Sequence, residues 1–254
     1  MLTRRETILG GALTLMWGGC ACAQGGPERP HGFGCVLEPA QAEAFLATAT
    51  EPQPTDGPET AKLVASSGDR ALDYALAQTL SRLTDMFGVL PGFSFFDDYD
   101  DANAYWTSLT RLKRADGTVL FGTRYLQKYM REPESPEVVI TAICAHEFGH
   151  AVQYKRNFMQ QLNAGQPTVK RTELNADFFA GYFAGARKLQ KPDYPAAVFA
   201  ANRFSRGDFS KDKDHHGTPE ERAAAVVRGF ETAYRERHSF AEAIQIGINY
   251  VSRL

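Results

Sequence analysis

The sequence predicts an α+β fold, mostly helical with a small sheet, and three observations carry that expectation. Apolar residues recur at helical spacing over 69–87, and again in nearly everything after Pro136. Between those blocks lie short segments rich in Phe, Tyr, Trp, Thr and Val, punctuated by Gly, Asp and Pro. The elements therefore come as helix, then sheet, then helices, where an α/β chain would alternate.

In chain order, 38–48 has a short helical pattern, and 51–58, with three prolines, reads as a loop. The next helix runs over 69–87, with Leu72, Ala75, Leu80, Leu83 and Met86 on one side; Gly88 and Pro91 end it. Phe93–Phe96 and Ala102–Thr107 are strand candidates, separated by the acidic run 97–101, which reads as a solvated loop because it lacks the ligand spacing of an EF-hand. Asp116-Gly117 marks a turn, and Thr118–Gly122 is the clearest strand of the chain. Helices then follow over 136–155, 172–189, 195–204, 219–237 and 240–251.

The first 23 residues read as a twin-arginine-like export signal. Arg4 and Arg5 precede an apolar stretch, Ile8 to Trp17, too short to span a bilayer, and Ala21-Cys22-Ala23 offers a small-x-small cleavage site. A lipid anchor at Cys20, after Gly18-Gly19, is the competing reading. Residues 24–37 form a linker rich in Gly and Pro, and 38–254 a single domain. Export assigns the mature chain to the bacterial periplasm or cell envelope, with no transmembrane span. A formal net charge of −2 gives no sign of a nucleic-acid partner. Cleavage after Ala23 leaves Cys35 and Cys144, whose pairing in a disulfide stays open.

The chemistry is concentrated in Val138 to Val152. This segment is apolar almost all round, so the helix is expected to be buried. Only Thr141, His146, Glu147 and His150 are strongly polar within it. A buried carboxylate is costly unless it is paired or gathered by a cation. His146 and His150, four apart, share one helix face and can share one tetrahedral zinc ion. Glu147 sits beside that line, placed to take a proton from a water molecule. Gly149 suggests close approach of another backbone. Cys144 points to nearly the opposite side and is not counted as a ligand.

Two histidines leave a catalytic zinc site one protein ligand short. In Arg171 to Gly185, Glu173 and Asp177 lie one turn apart, and Ala180, Gly181 and Ala184 continue their face with small side chains. Such a stripe would let this helix approach the His146 helix. Glu173 is then the third ligand, and Asp177 accepts the spare N–H of a ligand imidazole.

The residues His146-Glu147-Phe148-Gly149-His150-Ala151-Val152-Gln153 and Glu173-Leu174-Asn175-Ala176-Asp177-Phe178-Phe179-Ala180-Gly181 resemble the neutral zinc metallopeptidase family of bacteria, of the gluzincin type within the zincins. Asn175 and Phe178 stand where Gln and Cys are expected. His216-Gly217-Thr218-Pro219-Glu220-Glu221-Arg222 is similar to the His-Gly-x-x-x-x-Arg stretch of that family. The resemblance implies a zincin-like fold: an active-site helix, a ligand helix, and a small sheet whose edge strand, Thr118–Gly122, flanks the cleft. It also implies a choice for His216, between an oxyanion donor and a histidine that merely precedes the Thr218 helix cap.

The expected activity is zinc-dependent hydrolysis of a peptide or protein substrate, with Glu147 as general base. The rival readings are a non-catalytic zinc-binding protein of the cell envelope with the same fold, and a helical envelope protein without metal.

Overall fold

The computed structural model describes residues 63–98, 102–112, 114–131 and 135–254, all within one compact unit. The export segment, the linker, the predicted helix over 38–48, the loop over 51–58 and Cys35 lie outside the described residues. The architecture is α+β, with a four-stranded mixed sheet and a predominantly helical remainder.

Helix α1, Arg70–Phe87, starts where the Asp69 carboxylate accepts the Ala71 and Leu72 N–H groups and stops at Gly88, whose φ of 65° is left-handed. Strands β1 (Leu63–Val64), β2 (Gly92–Phe96), β3 (Ala104–Thr107) and β4 (Thr118–Gly122) lie in the order β1-β2-β4-β3. Parallel pairing of β2 with β4 puts both in the middle of the sheet, and every residue of both is buried.

This arrangement corrects one expectation. Thr118–Gly122 is a strand, but it is paired on both sides; the edges are β1 and β3, and β3 is the one that lines the cleft. The uninterrupted apolar run Val119-Leu120-Phe121 is what a strand covered on both faces needs. β3, only partly buried, has the composition of an edge.

A second correction concerns Asp98 of the acidic run, of which residues 99–101 lie outside the described residues. Asp98 is buried, and its carboxylate accepts the Arg124 and Tyr125 N–H groups at 2.8 and 2.9 Å. It thereby satisfies the start of helix α2, Thr123–Met130, which has no side-chain cap of its own.

The remaining helices are α3 (Pro136–Lys155), α4 (Met159–Asn163), α5 (Lys170–Gln190), α6 (Ala197–Ser205), α7 (Pro219–Tyr234) and α8 (Phe240–Val251). Buried nearly throughout, α3 is the central helix. Capping boxes at Thr218–Glu221 and Ser239–Glu242 start α7 and α8. α3 and α5 meet where a Cβ on Gly149 would lie 3.0 Å from the Ala176 Cα, so glycine permits the close approach. Gly181 serves a different neighbour from the one expected: it abuts the Val226 backbone of α7, while Gly229 of α7 abuts the Phe178 carbonyl of α5. The small residues of α5 thus bring α7, as well as α3, to its surface.

Candidate metal centre

His146 and His150 project from α3, and Glu173 comes from the first turn of α5. Their Nε2 atoms lie 3.2 Å apart. Glu173 Oε2 is 3.2 Å from His146 Nε2, and Oε1 is 3.4 Å from His150 Nε2. Four donors placed tetrahedrally around zinc at bonds of roughly 2.0 Å are about 3.3 Å from one another. The spacing of the three donor groups fits that ion, and they form a group able to hold a metal.

The hydrogen bonds behind the histidines decide what their front atoms present. Gln153 Nε2 donates to the Thr172 carbonyl at 2.7 Å, which is an acceptor only, and to Asn175 Oδ1 at 3.1 Å. Gln153 therefore turns Oε1 toward His150 Nδ1, at 3.0 Å. That places the proton of neutral His150 on Nδ1 and leaves Nε2 a bare lone pair. His146 Nδ1 lies 2.7 Å from Asp177 Oδ1, an approach that is short but oblique to the ring N–H. The Asp177 charge favours a proton on that nitrogen, which would leave Nε2 a lone pair. In that tautomer two lone pairs and a carboxylate face one point, where they repel one another unless a cation sits among them.

Asp177 is fully buried and held by Arg222 of α7, whose Nε and Nη2 donate to Oδ2 and Oδ1 at 2.7 and 3.0 Å. Burial disfavours its ionisation, but Arg222 and His146 outweigh that and hold its carboxyl below the usual range. Glu173 shows the same balance: burial opposes the charge, whereas His150, His146 and Arg222 lower its pKa well below normal. Glu147 differs. Burial dominates and pushes it up to about 7, Glu173 adds to the rise, and His150, Arg203 and Arg222 oppose it. Among the described residues no hydrogen-bond donor reaches the Glu147 carboxylate, which faces a cleft of about 420 Å³.

That cleft also exposes His146, His150 and Glu173, and is lined by β3 residues including Trp106, by Arg203 and Arg206 near the end of α6, and by His216. His216 thus reaches the cleft without joining the ligand group. Its backbone N–H donates to Asp208 Oδ2 at 3.1 Å, and Asp208 also contacts His215 Nδ1 at 2.5 Å. Thr218 caps α7, as the sequence suggests. Cys144 is buried, free of any disulfide and outside the ligand group. His238 lies near Glu236 and Glu242 instead.

Sequence reasoning gave no role to Gln153, Arg203 or Arg222. Gln153 follows His150 by three positions on a buried helix, which is a readable signal that the two side chains meet. Arg222 was visible within a motif, yet only its contact with Asp177, 45 residues away in sequence, shows why a cation is needed there. No protein-family model, curated protein or solved structure matches the chain.

Proposed function

We propose that this chain is a zinc-dependent peptidase with a zincin-like arrangement of helices. The observation that carries the proposal is the convergence of His146 Nε2, His150 Nε2 and the Glu173 carboxylate beside Glu147, which has no hydrogen-bond partner among the described residues. His146, His150 and Glu173 would hold the metal. Three protein ligands beside an open cleft suit a catalytic site better than a closed structural one. Zinc held there would polarise a carbonyl and activate a water molecule.

The protein groups have separate tasks. Asp177 and Gln153 fix the imidazole tautomers. Glu147, buried and free of hydrogen-bond donors among the described residues, can take a proton at Oε1 or Oε2 and deliver it to a leaving amine. A pKa lifted toward neutrality by burial is compatible with both halves of that exchange. Edge strand β3 offers backbone groups to an extended peptide. The motif likeness to neutral zinc metallopeptidases supports the same reading. So does the export-type segment, which would put the chain in the periplasm or envelope. Among the described residues no helix is long and apolar enough to cross a membrane.

The test is a Glu147→Gln variant assayed on a quenched peptide library, with zinc content measured in parallel. Full zinc occupancy with hydrolysis abolished is the expected result. Undiminished hydrolysis by the variant would refute the role of Glu147. Zinc bound by the wild-type chain with no peptide cleaved would favour a non-catalytic zinc-binding protein.

A further inference from the structure

We propose that Arg206 determines specificity in this cleft by taking a carboxylate group of the substrate, a reading that rests on the peptidase assignment and deepens it. Arg206 immediately follows α6 and is half-buried in the cleft wall. Its guanidinium lies over the Tyr125 ring, 5.3 Å from the centroid, and Nη2 donates to Asn103 Oδ1 at 3.1 Å. Among the described residues these are its side-chain contacts, and no carboxylate lies within 4.0 Å of the guanidinium. A guanidinium carries five N–H donors in a planar fork shaped for a carboxylate. Among the described residues only Nη2 of that fork is engaged in a hydrogen bond.

The neighbouring cations are committed. Arg222 is spent on Asp177, and Arg203 donates from Nε and Nη2 to Asn202 Oδ1 and stands 3.9 Å from Asp177. Among the described residues the carboxylates lining the cleft are Glu147 and Glu173, set against Arg203, Arg206 and Arg222. A divalent cation held by His146, His150 and Glu173 would leave the cleft with surplus positive charge. An anionic substrate group meets that surplus, and Arg206 is the cation whose charge no protein carboxylate among the described residues answers.

Arg206 is also held in place. Tyr125 supports its plane, and the Asn103 backbone carbonyl accepts the Gly122 N–H at 3.0 Å, which ties the Asn103 anchor to the sheet. Asn103 directly precedes β3, so a peptide along that edge passes the guanidinium. Little ordering remains to be done on binding. The carboxylate can come from an acidic side chain or from the free C-terminus of a peptide, which are the same chemistry to the guanidinium.

The experiment uses the full zinc-loaded chain and matched peptides: Glu against Gln at each position, and a free against an amidated C-terminus. Wild-type kcat/KM should favour one carboxylate form by about tenfold or more, the scale of a hydrogen bond to a charged group. The form favoured tells acidic side chain from terminus. Arg206→Gln should bring the ratio close to one, Arg206→Lys should keep part of it, and Asn103→Ala should erode it with the guanidinium still present. Binding of the same peptides to the Glu147→Gln chain, read by fluorescence anisotropy, needs no turnover. Arg206-dependent preference in that binding, without hydrolysis by the wild type, would sink the peptidase reading and leave the carboxylate site standing. Equal affinity for the paired peptides, or a preference that survives Arg206→Gln, would overturn the proposal for Arg206.

Discussion

Arg222 of α7 grips both carboxylate oxygens of Asp177 on α5, while Asp177 in turn faces His146 on α3. Three helices are thereby joined through one buried ionic chain. Removing one partner from such a pair leaves the other charge without compensation. Arg222→Met should lower the unfolding free energy of the metal-free chain by about 3–5 kcal/mol. Urea denaturation followed by circular dichroism measures this. A loss below about 1 kcal/mol would mean that water or another cation replaces the guanidinium.

Gln153 touches no metal ligand atom at the front of the site, yet it sets the proton of His150. Gln153→Ala should weaken zinc affinity by about 10- to 100-fold, with the fold retained. Competition against a chromogenic chelator reads the affinity directly. Unchanged affinity would show that His150 selects its tautomer without help.

Metal removal should be visible in stability. With free zinc at about 100 times its dissociation constant, the ion contributes about 2.7 kcal/mol, or roughly 5–10 °C in melting temperature for a domain of this size. Thermal melts with zinc and with excess chelator test this, and the difference should vanish in a Glu173→Ala, His146→Ala double variant. Identical melts for the wild type in the two conditions would speak against a resident metal.

At Gly229 a Cβ would collide with the Phe178 carbonyl oxygen of α5. Gly229→Ala should cost about 1–3 kcal/mol by overpacking. Because the collision pries α7 from α5, zinc affinity should fall as well, although residue 229 is no part of the ligand group. Denaturation and chelator competition on one preparation separate the two effects.

Much of this centre was legible in the sequence because its signals are local. The histidine pair, the glutamate between them and the burial of Pro136–Lys155 all follow from a polar trio in an apolar helix. Glu173 and Asp177 were legible as one-turn neighbours. The parts that were not legible depend on long-range partners. Helix α2 is started by Asp98, 26 residues before Arg124, so its own sequence carries no cap signal. Gly181 could equally have faced α3 or α7, and only the packing decides. The order of strands in the sheet is likewise not local: β4 resembles any apolar strand until β2 and β3 are found on either side of it.

Backbone meets backbone where α5 crosses α7, and again at Gly149, and these meetings divide the labour of the chain. The helices that carry His146, His150 and Glu173 are locked by main-chain contacts that leave side chains little latitude. The opposite wall comes from β3 and the end of α6, where side chains such as those of Trp106, Arg203 and Arg206 line the cleft. Substitutions on that wall can retune what is accepted without disturbing the ligand helices, so a lineage could change its diet while keeping its teeth.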